Sequence, residues 1–289
     1  MSTPPRVDLP DGVTVERWSI RGSERAVMRT DIGAAEAWAV LVPGFTGSKE
    51  DFIAVLPLLA EAGVGALAYD HLGQHESHPS HVEEDYDLAL LAADLGEVIA
   101  QASARFDRTD GPHLVGHSFG GLVAQRTLVD GHVRPASFVA LCTGPGALPP
   151  ARWQALPDLV DALPHTDLGA IWAVMRAADR AAGATRPPDH IEEFLERRWL
   201  ATSPVHLRQL GRALMEQPSM TLALQAVVDD GVPVTVMWGE RDDAWPIEDQ
   251  VRMADELGVP AVQIPGAGHS PNADSPHALV EYLLAAWGR

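Results

Sequence analysis

The sequence predicts an α/β protein with a mostly parallel sheet flanked by helices. Short apolar runs along the chain are typical of buried strands, and segments with a helical spacing of apolar residues alternate with them. A chain of 289 residues, 46% of them hydrophobic, can also bury a sizeable core. The alternation favours parallel pairing, because the chain must cross a face of the sheet between one strand and the next.

The strands are predicted in order from the pattern of each segment. Residues 13–20 alternate between apolar and polar side chains, whereas the run at 38–42 is apolar throughout and ends at Pro43-Gly44. Further strands are predicted near 25–30 and at 64–69, 112–115, 137–142, 232–238 and 261–264. Helices are predicted at 50–62, 87–104, 122–129, 247–257 and 275–287.

The segment from 147 to 220 breaks this alternation, because it contains many prolines and no convincing strand. A helical insertion of this length would lie over the carboxyl ends of the strands, where open α/β sheets bind ligands. We therefore predict a helical cap at 147–220, inserted before the last two strands, on a core formed by 1–146 and 221–289. The alternative is that the segment extends the helical layer of the core.

Composition excludes several classes of function. The formal net charge of −19 argues against nucleic acid and against anionic membrane surfaces, which need a basic face. The single cysteine argues against a disulfide framework. No signal-peptide pattern and no apolar run of bilayer length is recognised, so we expect a cytoplasmic protein without a membrane span.

The strongest local motif is Gly116-His117-Ser118-Phe119-Gly120-Gly121, which lies between a predicted strand and a predicted helix. A serine at such a junction sits on a sharp turn with its hydroxyl exposed, and the small residues two positions away let neighbouring backbone pass close by. The beginning of the following helix offers free N–H groups to an anion. The motif predicts that Ser118 is a catalytic nucleophile.

A serine nucleophile needs a histidine base and an orienting carboxylate, in the order Ser, Asp or Glu, His. His269 follows the last predicted strand in a glycine-rich loop, and Asp242 and Asp243 follow the strand before it. All three candidates therefore lie at the carboxyl edge of the sheet. Either aspartate could serve as the acid.

An oxyanion hole needs two backbone N–H donors. The residue after the nucleophile, Phe119, supplies one in the usual arrangement. The loop after the strand at 38–42 should supply the other, with Phe45 as the first candidate donor and Thr46 as the second.

These motifs together resemble the α/β-hydrolase superfamily over most of the chain, from about residue 37 onward. The elbow around Ser118 is similar to the family's elbow, and Pro43-Gly44-Phe45-Thr46-Gly47 resembles the oxyanion loop of bacterial carboxylesterases and monoacylglycerol lipases. The run from Gly239 to Pro246 resembles Gly-x-x-Asp-x-x-x-Pro, and this resemblance implies Asp242 as the acid. The chain departs from the family pattern at Pro43, where a histidine is usual, and at His75, where a glycine is usual.

Two other signals are interpreted as structural. His71, His75, His78 and His81 crowd one loop, but their spacing fits no helix face, so we expect a polar loop at the rim of the site and no metal. We also expect no cofactor. Cys142 is interpreted as a small buried residue.

Bulky apolar residues in and beside the predicted cap indicate an apolar pocket, for which Trp153, Trp172, Met175 and Trp245 are the candidates. The resulting hypothesis is a serine hydrolase acting on a small carboxylic ester with an apolar acyl or aryl part. One alternative is hydrolysis of a carbon–carbon bond, or another atypical reaction, on the same three residues. The other is a ligand-binding relative without catalysis.

Overall fold

The computed structural model describes residues 2–153 and 155–289 of the chain. It contains one eight-stranded sheet in the spatial order β1-β2-β4-β3-β5-β6-β7-β8. The strands are β1 (Thr14–Ile20), β2 (Ser23–Arg29), β3 (Ala37–Val42), β4 (Val64–Tyr69), β5 (His113–His117), β6 (Ser137–Leu141), β7 (Val234–Gly239) and β8 (Ala261–Ile264).

Strand β2 pairs antiparallel with both β1 and β4, and every other neighbouring pair is parallel. The mostly parallel α/β sheet expected from the sequence is therefore confirmed. The central strands β3, β4, β6 and β7 are buried at every position, which explains their mostly apolar sequences: helices cover both faces of a parallel sheet.

The described part of the chain contains eleven α-helices. They are α1 (Val55–Glu61), α2 (Leu88–Arg105), α3 (Phe119–Val129), α4 (Leu156–Ala162), α5 (Leu168–Ala181), α6 (Asp189–Ala201), α7 (Pro204–Glu216), α8 (Thr221–Asp229), α9 (Ile247–Leu257), α10 (Pro271–Asp274) and α11 (Pro276–Ala286). The helix expected at 50–62 is divided, since a 3-10 turn at Lys49–Phe52 precedes α1.

The segment between β6 and β7 carries five helices, α4 to α8, and its described residues form no strand. Helix α8 packs against α3 and α9 of the core, whereas α4 packs on α7 and α5 on α6. The latter helices share a separate hydrophobic cluster, made of Leu163, Leu168, Ile171, Trp172, Ile191, Phe194, Leu195, Trp199 and Leu207. These contacts are what a cap at 147–220 requires, and the division into core and cap stays our prediction.

A buried ion pair joins this segment to the core. Arg198 of α6 donates from Nη1 to Oδ1 of Asp51 at 2.7 Å, and both side chains are almost completely buried. Arg198 also donates to the carbonyl oxygen of Ser2, so the beginning of the chain lies at the same place. Among the described residues, no helix is long and apolar enough to cross a membrane.

Candidate active site

Three loops meet at the carboxyl edge of the sheet. Ser118 follows β5, Asp242 follows β7 and His269 follows β8. Since β5, β6, β7 and β8 run parallel to one another, their carboxyl ends lie on the same side, and residues far apart in the chain become neighbours.

The backbone at Ser118 has φ 55° and ψ −124°, a conformation rarely adopted by residues other than glycine. The flanking glycines make this turn possible. A Cβ at Gly116 would lie 2.7 Å from the carbonyl oxygen of Gly120, and one at Gly120 would overlap the carbonyl oxygen of Val42. The glycine spacing around the serine is therefore required by close backbone contacts on both sides of the elbow.

The three side chains form a continuous chain of hydrogen bonds. Nδ1 of His269 lies 2.8 Å from Oδ1 of Asp242, and Nε2 of His269 lies 3.0 Å from Oγ of Ser118. A carboxylate only accepts, so Nδ1–H of His269 donates to Asp242. Nε2 of the neutral ring is then the acceptor for the Ser118 hydroxyl, which is the arrangement that a general base requires.

Asp242 is buried and fully hydrogen-bonded. Oδ2 accepts from Nε2 of Gln250 at 3.0 Å, and Oδ1 also accepts from the backbone N–H of Ala244. Burial raises the pKa of this carboxyl, but the hydrogen bonds and the His269 partner outweigh it and hold the pKa below its usual value. Asp242 is therefore ionised at neutral pH.

The adjacent Asp243 occupies a different environment. It is exposed, and its backbone carbonyl accepts from Arg152 at 3.0 Å. Of the two aspartates that follow β7, the structure brings only Asp242 to the histidine.

His117, next to the serine, holds the histidine loop in place. Its Nε2 lies 2.7 Å from the carbonyl oxygen of His269, to which it donates. Burial, followed by the nearby His269, lowers the pKa of His117 to about 3, so the ring is neutral at neutral pH. Sequence reasoning assigned no role to this histidine or to Gln250, because both act through contacts that only the fold creates.

The loop after β3 approaches the serine closely. A Cβ at Gly44 would lie 3.1 Å from Cβ of Ser118, which shows how closely the loop approaches the serine. Phe45 and Thr46 both line the same cavity as Ser118. Phe119 is the first residue of α3, so its backbone N–H has no hydrogen-bond acceptor inside the helix.

The histidine-rich loop is partly buried, unlike the rim position expected for it. His71 and His75 are buried, whereas His78 and His81 are exposed. His75 lies near Glu50 and Glu76, a grouping that could hold a cation. The ammonium of Lys49 already fills that role, at 2.7 Å from Glu50 and 2.8 Å from Glu76. These residues therefore form an ion-pair cluster around the buried side chain of Lys49.

A cavity of about 810 Å³ lies over the serine. Its lining combines apolar and polar residues. The apolar residues include Phe45, Leu148, Trp153, Leu156, Leu214 and Trp245, and the polar residues include Arg152, Arg241, Asp243, Asp274 and Ser270. The lining is thus less apolar than the sequence suggested, because the loops after β7 and β8 contribute charged residues.

The four candidate pocket residues separate into two pairs. Trp153 and Trp245 line the cavity, and Trp245 is almost completely buried there. Trp172 and Met175 do not line it, which corrects their assignment to the pocket. Both lie on α5 and pack in the separate cluster between α5 and α6, since helices of this segment need a core of their own.

The fold and this arrangement of side chains define a hydrolase of the α/β type. The chain belongs to the alpha/beta hydrolase family, whose model matches residues 39–282. A curated relative from Variovorax paradoxus (strain S110), which bears the provisional name carbamate hydrolase RutD, is 37% identical over 109 residues. That match covers 37% of this chain and 38% of the relative's length.

Solved structures agree on the fold. An esterase from Exiguobacterium antarcticum has a TM-score of 0.76 at 17% identity, over 96% of this chain and 100% of that one. A bromoperoxidase from Bacillus anthracis has a TM-score of 0.74 at 20% identity, over 96% and 100%. The N-formylmaleamic acid deformylase of Pseudomonas putida S16 has a TM-score of 0.70 at 13% identity, over 93% and 99%. Such different activities on one scaffold mean that substrate must be argued from the site itself.

Proposed function

We propose that the chain is a serine hydrolase that cleaves a carboxylic ester with an apolar acyl or aryl part. The observation that carries this proposal is the hydrogen-bonded series Ser118–His269–Asp242, whose serine and histidine line the cavity. In a hydrolase family, this series offers the nucleophile, the base and the orienting acid that acyl transfer needs.

In the proposed mechanism, Oγ of Ser118 attacks the ester carbonyl carbon while Nε2 of His269 takes its proton. Asp242 keeps the imidazole in the required tautomer and stabilises the imidazolium that forms. The N–H groups of Phe45 and Phe119 stabilise the negative oxygen of the tetrahedral intermediate. His269 then protonates the leaving alcohol, and water, activated by the same histidine, releases the acid from the acyl-enzyme.

The mixed lining of the cavity supports an ester of mixed character. Trp153 and Trp245 suit an acyl or aryl group, and the charged residues of the lining suit a hydrated or charged alcohol part. We propose that this lining, contributed in part by the cap segment at 147–220, selects the substrate. We also propose a cytoplasmic location, which suits a single unpaired cysteine.

Carbamate hydrolysis is the second candidate, because the curated relative carries that name and charged residues, among them Arg152 and Arg241, line the cavity. The chemistry at the serine would be the same acyl transfer, with a carbamoyl carbon in place of the ester carbon.

The test combines labelling with a substrate panel. A fluorophosphonate probe should label the wild-type protein at Ser118 and should leave folded Ser118→Ala unlabelled. A series of p-nitrophenyl esters of increasing acyl length, with a matched set of carbamates, should then show turnover of esters by the wild type alone. Absence of both labelling and turnover in folded wild-type protein contradicts the proposal, whereas turnover confined to carbamates favours the second candidate.

A further inference from the structure

Two carbonyl groups of the loop after β3 accept hydrogen bonds from buried side chains that do not line the cavity. His71 donates from Nε2 to the carbonyl oxygen of Pro43 at 3.1 Å. Gln74 donates from Nε2 to the carbonyl oxygen of Gly44 at 2.8 Å. Gln74 is completely buried and is not part of the cavity lining.

The orientation of the Gln74 amide is determined by a second hydrogen bond. Its Oε1 accepts from the backbone N–H of His71 at 3.0 Å, so its NH₂ group must face Gly44. The tautomer of His71 is determined by the carbonyl oxygen of Pro43, which only accepts, so Nε2 carries the hydrogen. Nδ1 then accepts from the hydroxyl of Tyr69 at 3.2 Å. A 180° rotation of the Gln74 amide or of the His71 ring would lose at least one of these hydrogen bonds.

The carbonyl of Gly44 and the N–H of Phe45 belong to one peptide unit. In a planar trans peptide these two groups point in opposite directions. A donor that holds the Gly44 oxygen on the side away from the cavity therefore turns the Phe45 N–H toward the cavity, which Phe45 and Ser118 line together. The N–H of Gly47 also bonds the Gly44 oxygen, at 3.2 Å, but it belongs to the same short loop and moves with it.

We propose that Gln74 is a positioning residue for the oxyanion hole: its amide holds the Gly44–Phe45 peptide plane so that the Phe45 N–H faces the developing oxyanion. Proline at position 43 has no backbone N–H and cannot donate a hydrogen bond within the loop. The donors that hold the loop are instead side chains of the neighbouring loop after β4. The inference deepens the proposed ester hydrolysis and rests on it.

The experiment compares Gln74→Met with Gln125→Met. Both glutamines are completely buried and donate to a backbone carbonyl, Gly44 in one case and Gly144 in the other, at 3.0 Å for Gln125. Methionine keeps the approximate volume and removes the donor. We expect kcat of Gln74→Met on a p-nitrophenyl ester to fall by about 10- to 100-fold, somewhat less than the loss of a complete oxyanion donor, with KM within about twofold. Gln125→Met should retain kcat.

A transition-state analogue separates positioning from a merely structural role. An alkyl boronic acid, which forms a tetrahedral adduct on Ser118, should bind Gln74→Met more weakly by about the same factor as the loss of kcat/KM. A ground-state product carboxylic acid should bind both proteins equally. A structural defect would instead weaken both ligands and lower the thermal midpoint below that of Gln125→Met.

Gln74→Asn provides a second variant in case the methionine variant does not fold. It keeps an amide but withdraws it by one methylene, so kcat should fall again with little change in KM. Unchanged kcat and unchanged boronic acid affinity in either folded variant overturn the proposal while leaving the ester hydrolase function intact. A folded wild-type protein that is neither labelled nor active on any ester overturns both.

Discussion

Nδ1 of His269 lies 2.8 Å from Oδ1 of Asp242, while Asp243, the next residue in the chain, is exposed and contacts Arg152 only through its backbone. One step along the chain thus separates a buried partner of the histidine from an exposed residue at the edge of the cavity. The turn after β7 decides between them, because the N–H of Asp242 bonds the carbonyl of Gly239 and the side chain faces inward.

Asp242→Asn should lower kcat on the best ester by about 10³- to 10⁴-fold, because an amide can stabilise the wrong tautomer of His269 and cannot stabilise the imidazolium. Steady-state kinetics at constant pH measures the effect. Asp243→Asn is the matched control, and its kcat should stay within a few-fold of the wild type. Similar losses in the two variants would contradict the assignment of Asp242 as the acid.

The ion pair between Arg198 and Asp51 should be needed for stability. Arg198→Met should lower the free energy of unfolding by about 3–5 kcal/mol, since it leaves a buried carboxylate without its partner. Burial already raises the pKa of Asp51, and Arg198 opposes that rise. Arg198→Met with Asp51→Asn should recover part of the loss, because the amide carries no charge.

Urea unfolding of the single and double variants measures this coupling. The exposed pair Arg186–Asp189 provides the comparison, and Arg186→Met should change stability by less than about 0.5 kcal/mol. Additive effects at positions 51 and 198 would show that the pair does not act as a unit.

Gly120→Ala should destabilise the protein by about 3 kcal/mol or more, or prevent soluble folding, because its Cβ would overlap the backbone carbonyl of Val42. Gly33→Ala is the control, since the nearest atom to its added Cβ lies at 3.7 Å. Thermal unfolding followed by circular dichroism measures both variants. A folded Gly120→Ala with a wild-type midpoint would show that the elbow can relax.

Stability should fall as pH decreases below about 6.5. Burial lowers the pKa of His71 and His117 to about 3 and that of His206 to about 4. At pH 5 these three rings are neutral in the folded protein, whereas in the unfolded chain they are largely protonated. Unfolding therefore takes up protons, and stability is greatest above the unfolded pKa.

Three such protons correspond to a slope of up to about 4 kcal/mol per pH unit near pH 5, from about 1.4 kcal/mol for each proton. Urea midpoints measured at pH 8, 7, 6 and 5 provide the test, with a plateau above pH 7 and a decline below it. A free energy of unfolding that stays constant from pH 8 to pH 5 would contradict the burial of neutral histidines.

Much of the fold could be predicted because its signals are local. Apolar runs indicated the buried strands β3, β4, β6 and β7, and the predicted parallel α/β architecture is confirmed by the sheet and by the family match. The elbow around Ser118 could also be predicted, since its glycine spacing between a strand and a helix is visible within a few residues of sequence. The roles of Gln74, His117 and Gln250 could not be predicted, because these residues reach their partners through tertiary contacts. The position of Trp172 could not be predicted either, since it packs in a hydrophobic cluster separate from the cavity.

The sequence by itself determined the order of strands and helices, the serine elbow and the loops at the carboxyl ends of β7 and β8, because backbone preferences and hydrophobic spacing are properties of short segments. Only the tertiary structure decided that Asp242 meets His269, that Gln74 holds the Gly44 carbonyl, and that charged residues line the cavity. Those outcomes depend on how segments up to about 150 residues apart approach one another, as Ser118 and His269 do across 151 positions. No pattern within a short segment of the sequence predicts a contact between residues so far apart in the chain.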